Sequence, residues 1–369
     1  MKKNVIMICI DGGRVDFAKH SSILQDYLPG TIFFSNSITY APYTNSSVHA
    51  VISGCYGNRN GCDSYWNSAN FDLKNFKTLM LYLKAYNYRT VADVISDLLI
   101  PQTGFDQYVI YDEDKVDLSS RHTKLLEKIN NESTEKFFIF LHYEGIHTTI
   151  KNHVLRPFNN FSQEYFDAKE QNKKRYASLF ENAEMYLKKI FDKILELQLD
   201  ENSLIIIFSD HGTSIGEKFG ERAYGAYCYD YTIKTFVSLI THDFEKKEIK
   251  QQVRHIDILP TILEKLDIPL DQNFEKLDGT SLLPLLNGNK MLEQVAYTET
   301  GNPLKDNKPP KKPNTKSIRY LGWKFIYNEY NNSKELYNLV EDPDEKNNLS
   351  DTGIDIEKKL WQELLKHQI

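Results

Sequence analysis

Two short apolar runs, far apart in the chain, each lead into an acidic residue, and no other feature constrains the fold as much. Asn4-Val5-Ile6-Met7-Ile8-Cys9-Ile10 runs into Asp11-Gly12-Gly13, and Leu204-Ile205-Ile206-Ile207-Phe208 leads through Ser209 into Asp210-His211-Gly212. Uninterrupted apolar runs of this length read as strands buried on both faces, the signature of a parallel sheet covered by helices. Open α/β sheets hold their ligands beyond the carboxyl ends of such strands. Two carboxylates and an imidazole delivered there form a donor set for a divalent cation. A lone strand-end Asp serves as well as a helix cap. The two ends together point to a metal site with Asp11, Asp210 and His211 as ligands.

The rest of the chain repeats the alternation. Strands are expected at Thr31–Phe34, Arg89–Val94, Phe137–His142 and Phe236–Ile240, and helices from residue 46 to 53, Leu73 to Tyr86, 163 to 199 and Asp257 to Leu266. This predicts an α/β fold over residues 1–300, a largely parallel central sheet sandwiched by helices. Gly301 to Thr315, rich in Pro, Lys and Asn, predicts a loop. Beyond it Ile318-Arg319-Tyr320, Trp323–Tyr327 and Glu335–Leu339 predict an antiparallel meander, and Ile354 to His367 a terminal helix. Residues 301–369 thus read as a small C-terminal antiparallel subdomain.

Composition narrows the partners. A net charge of −6 and a pI near 6.0 give no basis for nucleic-acid binding, and 23 Tyr with 20 Phe suit sugars or other flat substrates. No apolar stretch nears the ~20 residues that cross a bilayer. Lys2-Lys3 and the run after it read as the first strand rather than as an export signal. Four cysteines without zinc-ligand spacing predict reduced thiols and a cytoplasmic protein.

Between the two half-sites lies Pro42-Tyr43-Thr44-Asn45-Ser46-Ser47-Val48-His49, running on to Ser53-Gly54. A hydroxyl at a helix start beside a metal can be a nucleophile. The helix N-terminus attracts anions, and a cation lowers the pKa of a hydroxyl that it binds. The same hydroxyl can also simply cap the helix.

Strand-Asp11, a hydroxyl-bearing helix start, a middle strand leading to His147 and then Asp210-His211-Gly212 together resemble the alkaline phosphatase/sulfatase superfamily. The tail adds Arg319-Tyr320-Leu321-Gly322-Trp323-Lys324-Phe325-Ile326-Tyr327 and Glu335-Leu336-Tyr337-Asn338-Leu339-Val340-Glu341-Asp342-Pro343, similar to the sulfatase C-terminal signature. His255-Ile256-Asp257-Ile258-Leu259-Pro260 and Gly279-Thr280-Ser281-Leu282-Leu283-Pro284 extend the likeness. The resemblance implies an alkaline phosphatase-like fold with Asp11, Thr44, Asp210 and His211 at one or two divalent ions. In sulfatases the nucleophile begins a Cys/Ser-x-Pro-x-Arg segment ten residues before a Thr-Gly or Ser-Gly glycine. Here that register falls on Thr44, which cannot be oxidised to formylglycine, while Ser46 and Val48 replace the proline and the arginine.

Threonine is the nucleophile of phosphoester-processing relatives. The resemblance therefore implies a phosphoester hydrolase or phosphotransferase acting on a small-molecule or glycan-linked ester. The alternatives are a sulfatase without formylglycine and a catalytically silent relative that binds a glycan or polar lipid. The resemblance further implies substrate contacts from His147 and Tyr224, with Lys218 protonating the leaving group; His49, on the same helix as Thr44, and Glu144, three residues before His147, are further candidates for substrate contact. Gly12 stands where calcium-binding members carry a second carboxylate, which favours zinc or manganese over magnesium or calcium. Asp16 lies too far along to replace it. Glu144, His147 and His255 are the residues that could hold a second ion.

Overall fold

The computed structural model describes residues 3–367 apart from 134, 158–161, 222, 304–307 and 309. Its strands are β1 (Asn4–Ile10), β2 (Thr31–Ile38), β3 (Arg89–Val94), β4 (Gln107–Ile110), β5 (Phe137–Tyr143), β6 (Ser203–Ser209), β7 (Lys234–Ile240), β8 (Lys247–Ile249) and β9 (Val253–Arg254). They form one sheet in the order β4-β3-β5-β1-β6-β7-β2-β8, with β9 also paired to β2. All neighbours are parallel except β7, which runs antiparallel to both β6 and β2.

The central strands are apolar on both faces because each face has its own helical cover. From β1, Val5, Met7 and Cys9 pack with Val48, Val51 and Ile52 of the helix Thr44–Ser53. Ile6, Ile8 and Ile10 point the other way, into a core shared with Ala183, Leu187 and Ile190 of the long helix Lys169–Glu196. Each such fully buried Ile or Leu contributes about 1.5–3 kcal/mol.

A second sheet, β10 (Ala296–Thr300), β11 (Thr315–Tyr320), β12 (Trp323–Asn328) and β13 (Ser333–Asn338), is antiparallel throughout and is covered by the helix Asp355–Lys366. It begins ahead of residue 301. The loop expected at 301–315 lies partly outside the described residues.

Among the elements that differ from the sequence reading, two have a clear local cause. β2 runs four residues past Phe34, because a bulge between Phe34 and Ser37 keeps the polar Ser35-Asn36-Ser37 in the strand. The helix expected from Leu73 starts only at Leu79. Upstream, the Asp72 carboxylate captures the Lys74 and Asn75 amides in a turn.

Candidate active site and metal centre

Register brings the site together. Ile10 of β1 lies between Tyr143 of β5 and Ser209 of β6, so Asp11, Glu144 and Asp210 leave the sheet side by side. Asp210 is anchored through one oxygen: Oδ1 accepts from the Gly12 amide at 3.0 Å and the His211 amide at 2.9 Å. Its Oδ2 is buried without a hydrogen-bond partner among the described residues, as is Oδ1 of Asp11. His211 Nδ1 lies 2.7 Å from the Gly212 carbonyl, which assigns the ring proton there and leaves the Nε2 lone pair facing inward. That Nε2 is 3.5 Å from Asp11 Oδ1 and 3.5 Å from Asp210 Oδ2. Donor atoms of the three residues all lie within 4.8 Å of one another.

Thr44 completes the cluster as the first residue of its helix, with Oγ1 3.3 Å from Asp11 Oδ2 and 3.3 Å from His211 Nε2. Ser47, one turn on, fixes that position by donating to the Asp210 carbonyl at 2.7 Å while accepting from Thr39 at 2.7 Å. Gly212 is required by close packing: a Cβ there would sit 2.2 Å from the Tyr231 carbonyl oxygen.

Electrostatics make the unpartnered oxygens costly. Burial would raise Asp11, yet His147, His142 and His211 beside it hold its carboxyl well below the usual range. Burial raises Asp210, with His211 opposing and Asp11 reinforcing. Two buried carboxylates with unpartnered oxygens and an inward imidazole lone pair fit a divalent cation, which neutralises the first and satisfies the second.

His142, which the sequence reading passed over, belongs to this cluster. Its Nε2 lies 3.3 Å from Asp11 Oδ2, the ring is fully buried, and neither nitrogen has a hydrogen-bond partner among the described residues. The signal was there: one imidazole inside an otherwise apolar seven-residue strand.

A cavity of about 350 Å³ opens over the cluster, lined by Asp11 and Thr44 and also by His147 and Tyr224. The Tyr224 ring centre lies 4.5 Å from that of His211 and 5.9 Å from that of His147, tilted to both, and His147 Nδ1 is buried without a hydrogen-bond partner among the described residues.

Other expected residues are placed elsewhere. His49 does not line the cavity; it is buried, with Nδ1 2.7 Å from the Asn45 carbonyl and its ring against Phe71, and burial pushes it down to about 4. Lys218 faces a different hollow, donating to the Glu345 carbonyl with its ammonium 4.4 Å from the Tyr229 ring centre. Glu144 also turns aside, its carboxylate 3.4 Å from the Tyr111 hydroxyl, and burial pushes it up to about 7. His255 has both nitrogens engaged, by Ser47 at 3.3 Å and Thr235 at 2.7 Å, which removes it as a ligand. Asp16 forms a forked pair with Arg14.

Comparison with known proteins shows the family and the fold. A family model described as Sulfatase matches residues 3–268, and one described as N-sulphoglucosamine sulphohydrolase, C-terminal, matches residues 227–369. A structure solved with its substrate D-glucosamine-2-N,6-O-disulfate superposes with a TM-score of 0.78 at 14% identity, covering 100% of this chain and 98% of the other. The phosphonate monoester hydrolase of Agrobacterium radiobacter gives 0.75 at 14% identity, with 99% and 95% coverage. Phosphoethanolamine transferase EptA of Helicobacter pylori is 24% identical over 50% of this chain and 35% of its own length. The chain spans 14% to 38% of the length of the curated relatives it matches.

Proposed function

The chain belongs to the sulfatase family, and from that premise we propose that it is a metal-dependent phosphoester hydrolase or phosphotransferase with Thr44 as nucleophile. The observation that carries this reading is the Thr44 hydroxyl, first in its helix and 3.3 Å from both Asp11 and His211. Asp11, Asp210 and His211 would hold a single cation, zinc or manganese by the nitrogen in the donor set. When bound, it supplies positive charge that lowers the hydroxyl's pKa and offsets charge on the ester oxygens.

The chain's own groups do the rest. Thr44 Oγ1 forms the bond to phosphorus as the ester oxygen leaves with its electron pair. The threonine proton has an acceptor in Asp11 Oδ2. With Lys218 elsewhere, His147 is the cavity group that can hand a proton to the departing oxygen. Water or an acceptor hydroxyl then takes the phosphoryl group from threonine.

Thr44→Ala should lower turnover of 4-nitrophenyl phosphate and bis(4-nitrophenyl) phosphate roughly 1,000-fold or more while metal content by elemental analysis is retained. Full activity in that variant sinks the proposal. A second reading, a sulfatase that needs no formylglycine, draws on the matched C-terminal model and the disulfate-bound neighbour. Parallel turnover of 4-nitrophenyl sulfate separates the two.

A further inference from the structure

The cavity over Thr44 has a polar floor and an apolar wall, and we propose that it selects esters whose leaving oxygen carries an aryl or alkyl group rather than a polyanionic glycan. This rests on the functional reading above for the ester itself. The floor is Asp11, Thr44 and His147. Ile95, Leu98 and Leu99, from the turn that follows β3, and Leu155, Pro303 and Pro310 supply the apolar lining, while Asn45, Ser64, Ser96 and Thr300 add uncharged polar groups to the same cavity. Leu98 is 41% exposed although Leu99 beside it is 1% exposed, so the wall presents apolar surface to water that an apolar group would cover. Tyr65, 51% exposed, stands at the same cavity and offers a ring face.

Charge points the same way. Among the described lining residues Asp11 is the one carboxylate, and none is Lys or Arg. Among the described lining residues, a second sulfate or phosphate of a glycan would meet no cationic side chain, and unpaired charge near apolar surface is costly. An aryl or alkyl group instead removes both its own surface and the wall's from water.

Calorimetric titration of the metal-loaded full chain with methyl-, n-hexyl- and benzylphosphonate and with D-glucosamine-2-N,6-O-disulfate tests the assignment without needing turnover. Benzyl- and hexylphosphonate should bind at least about tenfold tighter than methylphosphonate. Leu98→Asn and Leu155→Asn, at positions that are partly exposed, should each cut that ratio about threefold or more. Equal affinity for methyl- and benzylphosphonate, tighter binding of the amino-sugar disulfate, or no phosphonate binding at all overturns the proposal. Turnover of benzyl and methyl phosphate, whose leaving groups are both alcohols, is read separately. A retained binding preference without turnover supports the apolar wall while removing the Thr44 chemistry.

Discussion

Asp210 divides one carboxylate between two tasks: Oδ1 is held by two backbone amides, which frees Oδ2 to face Asp11 and His211. His142 plays the matching part for Asp11, touching Oδ2 from a fully buried position. His142→Phe, which keeps a planar ring but no nitrogen, should weaken manganese binding roughly 10- to 100-fold in a titration followed by electron paramagnetic resonance. Unchanged affinity would assign the imidazole to packing. Glu299 is a different kind of buried acid, accepting from the Tyr297 hydroxyl at 2.6 Å and from Tyr40. Burial pushes it up from 4.5 to about 7, against the pull of both tyrosines. The folded state therefore holds a proton that the unfolded chain releases. The associated stability, at most about 3 kcal/mol, is complete below 4.5 and is lost as pH rises through about 7. Glu299→Gln should flatten the fall in denaturation midpoint between acid and mildly alkaline buffer; an undiminished slope would place the titration elsewhere.

At the scale of elements, close backbone contact at one glycine aligns the candidate metal ligands. The Gly212 amide donates to the Thr232 carbonyl at 2.7 Å, and there is no room for a Cβ. Gly212→Ala should push the Asp210-His211 turn away from the 231–232 backbone, lowering both the melting temperature and the metal affinity. Loss of neither would show that the turn has slack. The elements themselves were largely legible. Runs such as Leu204–Phe208 announce buried strands because a strand covered on both faces has no polar side. The polar end of β2 and the late start of the helix at Leu79 were not legible, because each depends on a bulge or a side-chain-captured turn rather than on periodicity.

For the whole molecule, the second sheet is tied to the first by a buried ion cluster. Lys324, with no exposed surface, pairs with Glu345 at 2.7 Å and with Asp230, which Arg319 also meets at 3.2 Å. Lys324→Met leaves two acids short of a cation and should cost about 3–5 kcal/mol in thermal or denaturant unfolding. Adding Glu345→Leu should restore part of that, and failure to do so would mean that packing, not charge, was lost. Pro303 and Pro310 reach the cavity from the connection between β10 and β11, so this attachment also shapes the pocket. The sequence by itself determined the α/β class and the two strand-end carboxylates, because strand burial is a local pattern; Thr44 was singled out only by the register that the family resemblance implies. Only the tertiary structure decided that β7 runs antiparallel, that His142 joins Asp11, and that Lys218, His49 and Glu144 face away from the cavity. Those outcomes depend on which neighbour each side chain meets across the sheet, and no spacing along the chain encodes that.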